Sequence, residues 1–320
     1  MGAYALGLGI GSQNSRGEWL EVFFPAPRLW PEAALAELFA GSAGATALTA
    51  QDLAALSRAC TALGEDDLAA LAARLGASER PAVAVCLAAD SAPDSVPAAY
   101  LKLHLLSHRL VRPHETDLGG LFGVLPNVAW TSAGAIALED LAARQLDARL
   151  RGEVLTVSSV DKFPKMSDYV VPGGVRIAHT ARVRLGAYVG EGSTVMHEGF
   201  INFNAGAEGP GMIEGRISAG VMVGRDSDLG GGSSTMGTLS GGGDIVIAVG
   251  RQCLIGANAG LGIPLGDRCT IESGLYVTAG TKVTTLDAAG NPVQTLPARQ
   301  LQGLSDLLFR RNSEIGRAHV

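Results

Sequence analysis

The 320-residue chain has little cysteine, few aromatic residues and a low content of charge. Its four cysteines form no Cys-x-x-Cys pair, which excludes a disulfide framework and predicts reduced thiols in a cytoplasmic protein. The chain lacks a run of eighteen apolar residues and a basic, signal-like start, so we expect no membrane segment. A net charge of −6 offers no general attraction for nucleic acid or for an anionic membrane, and we expect neither as a partner.

Histidine is also scarce, and this bears on a metal-dependent hydratase. His179 and His197 are 18 residues apart, so they can stack on one face of a coiled chain. A catalytic zinc takes about three protein ligands, and the next equivalent position is Gly215. The pattern therefore favours two surface histidines over a zinc site.

Glycine and a six-residue repeat are what the chain has in abundance. Aliphatic residues recur without slip at Ile177, Val183, Val189, Val195 and Ile201. Neither the period of an α-helix nor that of a flat strand generates a strict six. A parallel β-helix with three short strands per turn generates this period, and one aliphatic residue from each strand stacks inside it.

The repeat continues after two interruptions, one at Asn204–Met212 and one at the glycine run Gly241–Gly243. Short β-sandwich strands are the alternative, but they alternate with period two and vary in spacing. We therefore predict a mainly β protein with a left-handed parallel β-helix. Its later interior positions are predicted at Ile217, Val223, Leu229, Val249, Ile255, Leu261, Leu265, Ile271, Val277 and Val283.

Residues 1–155 have a different pattern, typical of an α/β domain. Thr49 and Asp52 have the spacing of a helix N-cap. Leu103, Leu106 and Leu110 predict one apolar face on an amphipathic helix. The predicted strands are Tyr4–Gly11, Glu18–Phe24 and Pro81–Leu87, and the predicted helices are Gln51–Leu63, Glu65–Leu75, Ser95–Val111 and Ala137–Arg151.

The predicted β-helix domain covers residues 156–285, and a C-terminal segment covers 286–313. The last seven residues, 314–320, match the translation of a common sequencing adapter. We expect them to be foreign to the protein and the C-terminal segment to be truncated.

Three kinds of function suit such a coil: acyl transfer from a CoA thioester, a metal hydratase, or a structural or sugar-nucleotide module. Acyl transfer needs a group that takes a proton from the attacking amine. Glu214 lies where the chain re-enters the repeat, and Arg216 follows it. The alternative is that Glu214 and Arg216 form an ordinary ion pair on the surface and have no catalytic role. The glycine-rich tract Asp228–Gly243 offers exposed amides to a ligand, and Arg310 and Arg311 could meet CoA phosphates.

Six longer segments of the chain carry a family resemblance. They are Tyr100–Val111, Val160–Lys165, Val195–Phe200, Met212–Gly220, Met236–Gly243 and Leu308–Ser313. Together they are similar to the 2,3,4,5-tetrahydropyridine-2,6-dicarboxylate N-succinyltransferases of the type found in actinobacteria and pseudomonads, and the similarity extends from about Tyr4 to Ser313.

The resemblance implies a homotrimeric enzyme of lysine and diaminopimelate biosynthesis without an obligatory cofactor. It implies transfer of succinyl from the co-substrate succinyl-CoA to tetrahydrodipicolinate, giving N-succinyl-2-amino-6-oxopimelate and CoA. It also makes Glu214 the catalytic carboxylate, and it places Glu198 in a possible Mg²⁺ site at the trimer axis. The succinyl-CoA contacts that it implies are Arg216, Gly231, Ser234, Ala257, Glu272, Gly280, Arg310, Arg311, Asn312 and Ser313.

The chain departs from the family pattern at two places. Ala181 stands where a second acidic magnesium ligand is expected, and Pro297 stands where a lysine contact to phosphate is expected. The chemical role of Glu214 also stays open, because an acyl anhydride and a general base both require a carboxylate at this position.

Overall fold

The computed structural model describes residues 2–39, 44–237 and 245–312, and the chain divides into two compact units. The first unit comprises Met1–Val111, Glu115–Pro164 and Asp168–Val170. The second comprises Arg112–His114, Lys165–Ser167 and Val171–Val320. Among the described residues, no helix is both long enough and apolar enough to cross a membrane.

The second unit contains the predicted left-handed parallel β-helix, built from three sheets that run along its three faces. The first face contains Ala187–Val189, Ala205–Ala207, Met222–Val223 and Ala248–Val249. The second face contains Arg176–Ile177, Ser193–Val195, Gly211–Ile213, Asp228–Leu229, Leu254–Ile255, Thr270–Ile271 and Leu308–Phe309. The third face contains Phe200–Ile201, Arg216–Ile217, Ser234–Thr235, Gly260–Gly262 and Tyr276–Thr278.

The interior confirms the ladder that the repeat predicts. On the second face, Val195 pairs with Ile213, Ile213 with Leu229, Leu229 with Ile255, and Ile255 with Ile271. All five side chains are buried, so each coil covers the apolar side chain of the coil before it. Burial of a side chain of this size contributes about 1.5–3 kcal/mol, which makes the ladder the main stabilising feature of this unit.

The predicted interruption at Asn204–Met212 is wrong. Ala205–Ala207 and Gly211–Ile213 are strands in register with the coil before them. Ala207 occupies the buried interior position at the expected spacing. Its side chain is small, so a search for large aliphatic residues misses it. The irregularity instead lies between Ile213 and Ile217.

The ladder also ends before Val283, which was predicted as an interior position. Lys282–Leu286 and Pro292–Pro297 form an antiparallel hairpin in which Val283 is only half-buried. The chain then returns at Leu308–Phe309, which pairs in parallel with Thr270–Ile271. Phe309 is buried and covers the last rung of the second face. The long hairpin insertion hides this rung from the six-residue spacing.

The first unit contains a mostly antiparallel sheet with helices and a second, smaller sheet. The strand order in the larger sheet is Trp19–Phe23, Ala5–Gln13, Ala82–Leu87 and Gly44–Leu48, with Arg28–Leu29 beside Ala5–Gln13. The smaller sheet contains Gly134–Ala137, Val128–Thr131 and Val157–Asp161. The helices are Ala33–Leu38, Ala50–Ala62, Asp66–Gly76, Val96–Ser107, Leu121–Val124 and Leu138–Leu150.

Two details of this unit test the helix predictions. The capping interaction is confirmed, because the Thr49 side chain accepts from the Asp52 backbone and the Asp52 side chain accepts from the Thr49 backbone. The amphipathic reading of Ser95–Val111 is wrong. The helix Val96–Ser107 is buried on almost every side, and Leu110 lies beyond its end and is exposed.

Helix Val96–Ser107 carries a fully buried histidine. His104 Nε2 accepts a hydrogen bond from the Phe24 backbone N–H at 3.2 Å, and Nδ1 lies 2.7 Å from the Tyr100 carbonyl. Burial is the main cause that lowers the pKa of His104 to about 3. The folded protein therefore holds this imidazole neutral, whereas the unfolded chain protonates it near its ordinary pKa.

We predict that His104 makes the folded state lose stability as the pH falls from about 6.5 towards 3, because the unfolded state then binds the additional proton. The expected loss is about 1.4 kcal/mol for each pH unit in this window. His104→Gln retains a donor and an acceptor without the titration, so its free energy of unfolding should vary less between pH 7 and 5. The exposed His197→Gln is the matched control. Equal pH dependence in wild type and His104→Gln, measured by urea denaturation, would contradict the prediction.

Candidate active site

One edge of the β-helix carries a corner that is shorter than its neighbours. Five residues separate Val195 from Ile201 and Leu229 from Thr235 in the coils on either side. Only three, Glu214–Arg216, separate Ile213 from Ile217. The interior register is kept across this corner, so the two missing residues leave a recess on the outside. Its volume is about 440 Å³, and its lining residues are Arg182, Glu198, Phe200, Glu214, Gly215, Arg216, Gly232 and Ser233.

Glu214 begins the short corner and is held there by its backbone. Its N–H donates to the Leu229 carbonyl at 2.8 Å, while the side chain is half-buried. In the described part of the chain, the carboxylate has neither a hydrogen-bond donor nor an ion-pair partner. A Cβ at Gly231 would lie 3.5 Å from Glu214 Oε2, so Gly231 lets the next corner approach this carboxylate.

Gly215 is required by the close packing of this corner. A Cβ at Gly215 would lie 2.0 Å from Ser233 Oγ and 2.7 Å from the Ser233 carbonyl. The Gly215 carbonyl accepts from the Phe200 N–H at 3.0 Å, and the Arg216 N–H donates to the Ser233 carbonyl at 2.8 Å. Backbone hydrogen bonds to both neighbouring coils therefore fix the position of Glu214.

Arg216 belongs to a row of outward side chains on the third face. Phe200 pairs with Arg216, and Arg216 pairs with Ser234, so the three lie on successive coils. Arg216 Nε and Nη2 donate to Ser234 Oγ at 3.1 and 2.9 Å. Ser234 thus orients a guanidinium group whose remaining N–H groups are exposed to a ligand.

Glu198 lies in the same recess, but one chain does not form a magnesium site around it. Its side chain is 75% exposed, and its carboxylate lies 3.7 Å from Arg182 Nη2 and 4.0 Å from His197 Nε2. Mg²⁺ prefers several oxygen ligands rather than cationic neighbours. The described residues contain no group of three or more His, Cys, Asp or Glu side chains that could hold a metal ion.

The two histidines on this edge lie together, as their spacing predicts. The rings of His179 and His197 are edge to face with centroids 5.2 Å apart. Both side chains are exposed, and Gly215 follows on the next coil. This arrangement agrees with the surface pair favoured by the sequence.

Other predicted succinyl-CoA contacts lie on later coils of the same edge. Glu272 Oε2 accepts from the Arg311 N–H at 2.6 Å, and its Oε1 lies 3.7 Å from Arg311 Nη2. The Ala257 carbonyl accepts from the Gly274 N–H at 2.8 Å. The remaining predicted contacts do not line the recess: Gly231, Gly280, Arg310 and Asn312 lie outside its lining, while Ser313 and residues 238–243 lie outside the described residues.

Sequence reasoning singled out Glu198, Glu214 and Arg216, and its glycine-rich tract contains Gly232 and Ser233. It missed three lining residues, Arg182, Phe200 and Gly215. The ladder itself carries a signal for two of them, because equivalent positions recur every 16–18 residues from coil to coil. Counting back from Arg216 leads to Phe200 and then to Arg182.

Comparisons with known proteins agree with this fold. Residues 125–165 match the family model "Tetrahydrodipicolinate N-succinyltransferase middle", and residues 246–279 match "Hexapeptide repeat of succinyl-transferase". The 2,3,4,5-tetrahydropyridine-2,6-dicarboxylate N-succinyltransferase of Pseudomonas paraeruginosa is 61% identical over 319 residues, covering 98% of this chain and 92% of the relative.

A more distant relative and a solved structure extend the comparison. The enzyme of the same name from Vibrio cholerae is 58% identical, covering 99% of this chain and 94% of its own length. A crystal structure of a Campylobacter jejuni protein described as a 2,3,4,5-tetrahydropyridine-2-carboxylate N-succinyltransferase matches with a TM-score of 0.88 at 32% identity, covering 98% of this chain and 91% of that one. The chain belongs to the tetrahydrodipicolinate N-succinyltransferase family.

Proposed function

We propose that this protein transfers succinyl from succinyl-CoA to tetrahydrodipicolinate, giving N-succinyl-2-amino-6-oxopimelate and CoA in lysine and diaminopimelate biosynthesis. The observation that carries the assignment is the unpaired Glu214 carboxylate beside an oriented arginine in the recess of the β-helix. The names of the relatives and the hexapeptide acyltransferase repeat support it. The protein acts in the cytoplasm, which agrees with its four free, buried cysteines.

Glu214 acts on the attacking nitrogen in this proposal. The amine of the ring-opened acceptor attacks the thioester carbonyl carbon, and the carbon–sulfur bond breaks as the new carbon–nitrogen bond forms. Glu214 accepts the proton that the nitrogen loses and returns it to the departing CoA sulfur. The carboxylate is available for this role because no ion pair or hydrogen bond within the described chain occupies it.

A covalent role for Glu214 is the second candidate. Its carboxylate would attack the thioester to form a succinyl anhydride and release CoA, and the amine would then attack the anhydride. The anhydride is a more reactive acyl donor than the thioester, so its formation is uphill. General-base catalysis requires no such intermediate, and we favour it for that reason.

The donor is expected to lie along the third face. Arg216, oriented by Ser234, pairs with the terminal carboxylate of the succinyl group. The pantetheine arm runs over the outward positions of the following coils, where the exposed Tyr276 ring covers Gly260. Arg310 and Arg311 meet the CoA phosphates at the far end of this path.

We predict that Glu214→Gln lowers turnover by at least about a hundredfold, because it removes both the base and the nucleophile but keeps the size of the side chain. The measurement is steady-state release of CoA thiol with succinyl-CoA and tetrahydrodipicolinate, together with a melting curve to verify folding. Glu191→Gln, on an exposed corner of another edge, is the matched control and should retain wild-type turnover. Near-normal turnover of Glu214→Gln would remove Glu214 from the mechanism in either role.

The proposed contact between Arg216 and the succinyl carboxylate predicts which acyl donor the enzyme prefers. Acetyl-CoA lacks the terminal carboxylate, so the wild type should favour succinyl-CoA strongly in kcat/KM, by about 10- to 100-fold or more for a charge-assisted contact. Arg216→Ala should narrow this preference by weakening the succinyl reaction most, whereas the exposed Arg225→Ala should leave it unchanged. An equal loss with both donors would show that Arg216 binds another part of CoA.

The second face of the β-helix supports a homotrimer. Its outward positions include Met212, Leu254 and Leu308, which are 42%, 48% and 65% exposed in the single chain. These three side chains alternate along the face with Asp228 and Thr270. Exposed large apolar side chains on one sheet are typical of a surface that another subunit covers. A magnesium ion on the trimer axis would need one Glu198 from each copy, since the described residues of a single chain hold no group of three or more His, Cys, Asp or Glu side chains.

We therefore expect light scattering to give a mass near three times 32.8 kDa. Leu254→Glu replaces one of these apolar side chains by a charge and should shift the mass towards the monomer, because a buried unpaired charge opposes association. Leu286→Glu, on the exposed hairpin, is the control. A wild-type monomer across all concentrations tested would contradict the trimer.

A further inference from the structure

The helix Leu138–Leu150 in the first unit is exposed on nearly all sides. The structure describes all of its 13 residues, and only Ala148 is buried. A helix of this length is marginal in water, because the packing of an apolar face supplies most of the stability of a helix in a protein. The described residues of its own chain supply little such packing here. The helix therefore lacks the cover that a stable helix needs.

The apolar side chains of this helix form one ridge. They follow each other at intervals of four residues, which places them on the same side of an α-helix. We call them the leucine ridge, and they are Leu138, Ala142, Leu146 and Leu150. The three leucines are 40%, 60% and 77% exposed. At a rise of 1.5 Å per residue, the ridge is about 18 Å long.

The apolar side chains on the second face of the β-helix span the same length. Met212 and Leu308 lie four coils apart, and Leu254 lies midway between them. Neighbouring strands are about 4.8 Å apart, so Met212 and Leu308 are separated by about 19 Å. The leucine ridge and the second face thus match in length, and both are uncovered in the single chain.

The two surfaces also carry opposite charges. Arg149 lies on the same side of the helix as the leucine ridge, and it has no ion-pair partner among the described residues. On the second face, Asp228 follows Met212 and accepts from the Met212 N–H at 2.7 Å through Oδ1. Its carboxylate has no ion pair within the described chain either. An arginine on one surface and a carboxylate on the other favour contact between the two unlike surfaces.

We propose that the leucine ridge of one copy of this chain docks on the second face of another copy. Contacts between two different surfaces run head to tail, and such contacts form a ring when the rotation closes. In a ring of three, every ridge and every second face is covered. The inference rests on the homotrimer of the proposed function and identifies the two surfaces that meet in it.

Cross-linking between introduced cysteines tests the contact, because the four native cysteines are buried. The double variant Leu146→Cys/Leu254→Cys, treated with a short bismaleimide, should give covalent dimers and trimers on a denaturing gel. Each of the two single variants should remain a single chain, since unlike surfaces meet. The matched control is Leu63→Cys/Leu254→Cys, which should also remain a single chain. Leu63 is exposed in the first unit, just beyond helix Ala50–Ala62.

Charge variants test the same contact without a cross-linker. Arg149→Glu should raise the concentration at which the trimer dissociates by at least about tenfold, because like charges then face each other. Adding Asp228→Lys to Arg149→Glu should recover most of this loss. Arg144→Glu makes the same change at an exposed position on the opposite side of the helix and should leave dissociation unchanged. The measurement is light scattering over a dilution series.

Three results would overturn the docking. Cross-linked dimers in either single variant would show that a surface meets its own counterpart. A double variant that remains a single chain, while light scattering gives three copies, would show that something else covers the ridge. Dissociation of Arg149→Glu at the wild-type concentration would count against the charge contact and the docking with it.

The same measurements separate the docking from the proposed function. Each of those three results leaves the trimer and the reaction standing, provided that the wild type is trimeric and releases CoA with tetrahydrodipicolinate. A wild type that is monomeric at all concentrations contradicts the trimer and the docking together. A trimeric wild type that releases no CoA contradicts the proposed reaction alone.

Discussion

The stacking of apolar side chains inside the β-helix is the constraint on which the rest of this unit depends. Val195, Ile213, Leu229, Ile255 and Ile271 lie in register through five successive coils. Displacing one coil would break both the interior contacts and the parallel backbone hydrogen bonds on either side. Changes in the sequence must therefore be absorbed at the corners, where the chain is outside the ladder.

The corners are accordingly where the chain varies and where the candidate site lies. A corner shortened to Glu214–Arg216 opens the recess, and the hairpin after Thr278 leaves the ladder at another corner. In each case the chain returns to the next rung in register. A rigid scaffold with variable corners holds a carboxylate and two arginines at fixed separations without requiring them to stabilise the fold.

Several polar groups of the recess lack a partner within the described chain, so a contribution to the stability of the fold does not explain their presence. Glu214 has no partner in the described structure, and Arg182 Nε and Ser233 Oγ are buried without one. The buried Lys102, by contrast, is paired with Asp90 and the Asp117 carbonyl. Unpaired groups that gather in one recess are the expected mark of a ligand site.

The sequence by itself determined the β-helix and most of its interior residues. It also singled out Glu214 and Arg216, but it placed Glu214 at the return from an interruption that the structure does not have. The six-residue period is a local property that the side chains carry directly, because every coil repeats the same contact with its neighbour. The six-residue pattern missed the interior position at Ala207 because a small residue carries no hydrophobic signal. The pattern also missed the interior position at Phe309, because a long hairpin separates it in the sequence from its partner Ile271.

Only the tertiary structure decided which residues meet in the recess. Arg182 belongs to no local motif, and Ser233 belongs to the glycine-rich tract on the coil after Glu214. Their proximity depends on the cumulative register of three coils and on the two residues that the short corner lacks. A count of the period locates each coil, but the space left between corners appears only when the coils are packed together.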